Sequence, residues 1–195
     1  MDFPLHLNFK KVALAPQISV TDANGRMFAY VKQKAFKLKE AITIFAEKEQ
    51  INPLFTINAD RILDISARYT IRDAQGAELG AIQRRGMRSF WRASYEIVRD
   101  GAVVMQIREE NPWVKVLDGL MGEIPVLGFF TGYAFNPAYL VTRTDTGAPV
   151  LRIKKEPAFL EGKFSVQRQG ELSESDQTLG VVALLMMVLL EKRRG

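Results

Sequence analysis

The chain has no cysteine and one histidine, His6, among 195 residues. Without thiols there is no disulfide, no thiolate metal site, no cysteine nucleophile and no S-palmitoylation. A lone histidine cannot build a multi-histidine metal site, and His6 sits in an alternating stretch where it reads as an ordinary strand residue. Catalytic signatures are missing too: there is no G-x-S-x-G elbow, P-loop, G-x-G-x-x-G or H-E-x-x-H. Long apolar runs are also absent. The longest, Leu179 to Leu190, spans about 18 Å as a helix, whereas a bilayer core is about 30 Å thick. The N-terminal Met1-Asp-Phe-Pro-Leu-His-Leu7 has neither the basic nor the apolar region of a secretory signal. The expectation is a cytoplasmic chain, peripheral to a membrane at most, with no transmembrane span, no cofactor, no metal and no catalytic residues.

What is present is ordinary globular material. Apolar residues make up 47% and charged residues 25%, enough for one sizeable core over residues 1–195. The net charge of +5 favours contact with something anionic, whether a lipid surface, a nucleic acid or an acidic protein.

The apolar run from Leu179 to Leu190 contains no polar side chain. A helix that is apolar on every face and too short to cross a bilayer has to be surrounded by protein. Ser173 and Ser175 are candidate N-caps, and Asp176 follows Ser173 by three residues as in a capping box. Glu174 and Asp176 suit the positive end of the helix dipole, and Lys192, Arg193 and Arg194 suit the negative end. The pattern predicts a central helix over about 175–192. Its removal is expected to unfold the domain, since each buried apolar side chain contributes roughly 1.5–3 kcal/mol.

The rest of the chain alternates with period two, and one unit repeats. Its first copy runs from Ile18 through the turn Asp22-Ala-Asn-Gly25 to Lys34, then Ala41 to Phe45 and Leu54 to Ile57. The second runs from Tyr69 through Asp73-Ala-Gln-Gly76 to Arg85, then Ala93 to Ile97 and Val104 to Ile107. A partial third runs from Tyr139 through Thr144-Asp-Thr-Gly147 to Lys155, then Lys163 to Val166, with the apolar helix in place of a fourth strand. Glycine supplies the positive φ of a hairpin turn, and Asp or Thr bonds the local backbone. Six positions after each glycine stands a β-branched residue, Val31, Ile82 or Ile153, which predicts an inward-facing position. Repeated meanders must hide their edges. A mostly β fold follows: a closed barrel of about twelve strands around the buried helix, since eight strands leave room only for side chains.

Between the second and third copies, Trp113, Val116, Leu117, Leu120, Met121 and Ile124 have helical spacing, with Pro112 suited to the first turn. A surface helix over about 112–123 is expected to pack on the barrel. The following stretch carries Phe129, Phe130, Tyr133 and Phe135, read chiefly as core and alternatively as a small-ligand or enzyme pocket over 129–135.

This pattern resembles the tubby C-terminal-like superfamily, and within it the LURP-one-related and bacterial phospholipid-scramblase-like proteins. The likeness rests on Arg68-Tyr-Thr-Ile-Arg-Asp-Ala-Gln-Gly76, Ala93-Ser-Tyr-Glu-Ile97 with Asp100-Gly101, Val150 to Lys155 with Gly162 to Val166, and Leu179 to Leu190. It implies a twelve-stranded barrel around a central helix and, by analogy, binding of phosphoinositide-like headgroups through basic side chains. Calcium-dependent scrambling is not implied, because the chain has no cysteine and Asp22-Ala-Asn-Gly25 is too short for an acidic calcium loop.

The strands after the three repeat turns end in cations: Lys32 and Lys34, Arg84 and Arg85, Lys154 and Lys155. In equivalent copies these would ring one end of a barrel and attract phosphates, with Arg88 and Arg92 beside Phe90 and Trp91 adding to them. Solvated strand ends are the plainer account. The sequence therefore points to a non-enzymatic binding domain for anionic lipid headgroups, with a protein-interaction scaffold as the alternative. Nucleic acid is disfavoured, because no recognition motif appears.

Overall fold

The computed structural model describes residues 1–10, 17–32, 41–60, 67–84, 94–110, 138–158 and 161–192. Twelve strands form one closed antiparallel barrel in chain order. They are β1 Leu5–Lys10, β2 Gln17–Thr21, β3 Met27–Lys32, β4 Ile42–Phe45, β5 Pro53–Ala59 and β6 Arg68–Asp73. β7 Glu78–Arg84, β8 Ser94–Arg99, β9 Ala102–Glu109, β10 Ala138–Arg143, β11 Pro149–Glu156 and β12 Glu161–Arg168 follow. One helix, α1, covers Glu174–Lys192, matching the expected central helix within a residue. The expected surface helix over 112–123 and the aromatic segment 129–135 lie outside the described residues.

The repeat is visible in the strand registers. Units β2–β5 and β6–β9 have four strands each, and β10–β12 have three. The fourth place of the last unit is taken by the N-terminal strand β1. It pairs with β12 through Leu5↔Val166 and with β2 through Leu7↔Val20, and so closes the barrel. The helix follows β12 along the chain, but it fills the lumen and not the wall.

Each repeat turn works as its residues require. In the first, Asp22 Oδ1 accepts the amides of Asn24 at 2.9 Å and Arg26 at 3.0 Å. In the second, Asp73 Oδ1 accepts those of Gln75 at 3.0 Å and Ala77 at 2.8 Å. Gly25, Gly76 and Gly147 hold the positive φ these turns demand, at 76°, 86° and 69°. The third turn differs, with Asp145 gripping Arg143 through both carboxylate oxygens at 3.0 and 2.9 Å. A bulge recurs in all three repeat hairpins, at Val20/Thr21, Ile71/Arg72 and Val141/Thr142. Such bulges increase local twist and help a wide sheet to curl shut.

Inward positions build the core: Leu5, Leu7 and Phe9 on β1, Ile82 on β7, Ile97 on β8, and Ile107 on β9. Val31, Ile82 and Ile153 are all buried, as their shared spacing from the turn glycine predicted. Leu179 to Leu189 of α1 are buried on every side of the helix, and Gly180 lets β11 approach, with Leu151 Cδ1 only 2.9 Å from where a Cβ would stand. Ser173 Oγ accepts the Asp176 amide at 3.1 Å, so Ser173 is the N-cap. Asp176 then ties the helix to two separate strands, taking Arg99 of β8 at 2.5 Å and Arg143 of β10 at 3.7 Å.

Gly80 on β7 has φ of 148°, and a Cβ there would lie 2.5 Å from the Val98 carbonyl and 3.0 Å from Leu179. Gly80→Ala is expected to lower unfolding free energy by about 2–4 kcal/mol, from backbone strain together with overpacking against α1. Urea denaturation measures it. A pH dependence follows from the turn carboxylates. The Arg143 side chain holds the Asp145 carboxyl down at about 2 against an ordinary 3.8. Burial pushes Asp22 up, but hydrogen bonds from Arg26 and Asn24 outweigh it and leave its carboxyl below the ordinary value. A depressed folded value means stability that is complete above the unfolded value and lost as pH falls through the folded one. The urea midpoint should therefore fall between pH 3.8 and about 2, and Asp22→Asn with Asp145→Asn should flatten that fall.

Candidate functional site

The strands alternate in direction, so the barrel has two distinct ends. The repeat turns, the Asp100-Gly101 hairpin and the start of α1 lie at one end. Strands β3, β7 and β11 finish at the other, the far end, where α1 also finishes. Lys32, Arg84, Lys154 and Lys155 all lie at it. Lys34, Arg85, Arg88 and Arg92, expected to extend the set, lie outside the described residues, as do Phe90 and Trp91.

The four described cations share an end but face two ways. Lys32 and Lys154 each stand seven positions after their turn glycine, beside the inward Val31 and Ile153, so they point out from the wall and are exposed. Arg84 and Lys155 stand eight positions after theirs, share the parity of Ile82 and Ile153, and are half-buried at the mouth. Gln83 holds the outward place of the second unit. The sequence expectation of one ring thus resolves into an outer set and a mouth set, because adjacent strand residues face opposite sides of a sheet.

At the mouth the end of α1 meets a polar cluster. The Tyr95 hydroxyl donates to Glu191 Oε1 at 2.6 Å. Burial, then the nearby Glu191, push the Tyr95 hydroxyl up from its ordinary range, with Arg84 acting the other way. Tyr139 is likewise pushed up by burial and then by Glu191 and Glu109. Both phenols therefore stay protonated at neutral pH, and the Tyr95 hydroxyl serves as a hydrogen-bond donor that fixes the helix end. The cluster was hidden in the sequence, since nothing local shows that Tyr95, Tyr139 and Glu191 converge.

Three acidic groups at this end are engaged, while Glu156 and the lysines make no ion pair among the described residues. Glu110 takes Arg152 at 2.8 Å, Glu191 takes Tyr95, and Asp60 accepts the Arg68 amide at 2.9 Å. Arg26, Arg68, Arg72, Arg99, Arg143 and Arg152 are each ion-paired. Lys10, Lys32, Arg84, Lys154, Lys155 and Lys163 make no ion pair among the described residues. A cleft of about 390 Å³ over β9 and β10 is lined by Arg108, Glu110, Thr142 and Arg143, of which Glu110 is taken by Arg152 and Arg143 by Asp145 and Asp176. Among the described residues no group of His, Asp and Glu could hold a metal, and no helix is long and apolar enough to cross a membrane.

Residues 27–118 match the model of the LURP-one-related family, from β3 through β9. A crystal structure of a protein from Arabidopsis thaliana is similar in fold, with a TM-score of 0.52 over 98% of this chain and 92% of that one at 14% identity. No curated protein matches the chain.

Tyr95→Phe removes the hydroxyl that holds Glu191. The expected loss of unfolding free energy is about 1–2 kcal/mol, with faster amide exchange at the last turn of α1 and unchanged exchange near Asp176.

Proposed function

We propose that this barrel, whose residues 27–118 match the model of the LURP-one-related family, is a binding domain, not an enzyme, and that its far end docks on anionic lipid headgroups of the phosphoinositide type. One observation carries this reading. Six cations at the far end, Lys10, Lys32, Arg84, Lys154, Lys155 and Lys163, make no ion pair among the described residues, while the acidic groups Glu110 and Glu191 beside them are occupied. A cation with no partner in the protein keeps its full attraction for an external phosphate, and an ion-paired one does not.

The two sets differ in what they offer. Arg84, half-buried at the mouth, presents a planar fork suited to a bidentate phosphate contact, and Lys155 adds a point charge on the same side of the wall. Lys32 and Lys154, exposed on the outside, contribute long-range attraction that salt screens within about 8 Å at physiological ionic strength. Headgroup selectivity on this reading belongs to the mouth set, and general affinity for a negative surface belongs to both. The barrel itself stays outside the hydrocarbon, bound peripherally from the cytoplasmic side.

Co-sedimentation with neutral vesicles and with vesicles carrying phosphoinositide, across a salt series, tests the proposal. Binding confined to the anionic vesicles, weakened by salt and reduced about tenfold by Arg84→Gln with Lys155→Gln, is the expected result. Absence of binding at low salt would sink it and leave a protein-interaction scaffold as the reading.

A further inference from the structure

The outward lysines form a line. Lys154 on β11 is opposite Ser165 on β12, and Lys163 lies two residues from Ser165 on the same face. Lys163 is opposite Asn8 on β1, and Lys10 lies two residues from Asn8. Lys10 is opposite Gln17 on β2, which is opposite Lys32 on β3. All four lysines are exposed. Diagonal neighbours on adjacent strands are about 7–8 Å apart, so Lys154, Lys163 and Lys10 climb toward the far end in steps of that size. Lys32 stands two strand spacings further, about 9–10 Å. Asn8 and Gln17 occupy register positions between the charges, and Glu156, opposite Lys163, is the one carboxylate on this face whose side chain is described.

We infer that this diagonal of lysines on β11, β12, β1 and β3 is a docking track for an extended acidic peptide with carboxylates at alternate positions. In an extended chain, side chains at i and i+2 share a face about 6.4–6.8 Å apart, close to the lysine interval. Asn8 and Gln17 can meet the peptide's backbone groups between charges. Curvature argues against a bilayer as occupant. The track runs from β11 to β3, four of the twelve inter-strand steps, and so bends around a third of the barrel. A flat surface touches the middle of such an arc, whereas a flexible chain follows it. Stacking argues against single-stranded nucleic acid, which uses exposed aromatic faces: Tyr30, opposite Ser19 and beside the track, is only 5% exposed.

The track shares its four lysines with the surface proposed to face lipid but does not need Arg84 and Lys155, so variants of those two separate the readings. Fluorescence anisotropy with a labelled alternating Glu-Thr peptide, and with a block Glu/Thr peptide of the same composition, reads it out. The expected result is tighter binding of the alternating peptide and a loss of about fivefold on Lys10→Gln with Lys163→Gln. Arg84→Gln with Lys155→Gln should leave it unchanged. Equal binding of both peptides, or of an oligothymidylate of equal charge, overturns the track in favour of unspecific attraction. No binding overturns it as well, with circular dichroism confirming that the variants are folded.

Discussion

A helix apolar on every face must be kept from water around its full circumference, and that one requirement sets the scale of this molecule. Leu179 to Leu189 present no side suited to solvent. Eight strands would close on their own side chains, so a wall of twelve is what admits a helix. The helix in turn removes the void that a twelve-stranded wall would enclose. Neither part is stable alone, and the close fits at Gly80 and Gly180 show how little slack separates them. The polar groups of the helix collect at its two ends, with Asp176 held by arginines of β8 and β10 and Glu191 held by Tyr95.

Threefold repetition explains both the economy of the wall and the arrangement of its charges. A recurrent turn, bulge and inward β-branched residue place equivalent side chains at intervals around the barrel. Lys32 and Lys154 are equivalent, and so are Arg84 and Lys155. Gln83 interrupts the outer set, so among the described strand residues the lysines without an ion pair gather on β11, β12, β1 and β3. Arg68, Arg72 and Arg152 on the wall are committed to ion pairs.

Much of the fold was legible because it depends on local rules. Gly25, Gly76 and Gly147 mark turns by their freedom at positive φ, and the unbroken run from Leu179 betrays an enclosed helix. Other features were not legible. The alternation of Leu5, Leu7 and Phe9 shows a strand, but nothing near it shows that its partner includes Val166, so its place as the missing fourth strand was out of reach. The bulges at Val20, Ile71 and Val141 were equally hidden, because a bulge adds a residue without requiring a particular one. The basic residues were found by spacing, yet their division into outer and mouth sets follows from strand parity once the wall is closed. Convergence of Tyr95 and Tyr139 on Glu191 needs the whole barrel and left no local trace.

Closure of the wall by β1 sets the order of events during synthesis. The first strand waits for the twelfth, since Leu5 pairs with Val166, and the lumen stays empty until Glu174–Lys192 has been made. While the ribosome is still adding these residues, a growing sheet with an apolar inner face and two unpaired edges is exposed to the cell. Such species are the ones that aggregate or engage chaperones, and pairing between distant segments slows folding further. A barrel with no edge when finished is therefore most vulnerable as a nascent chain.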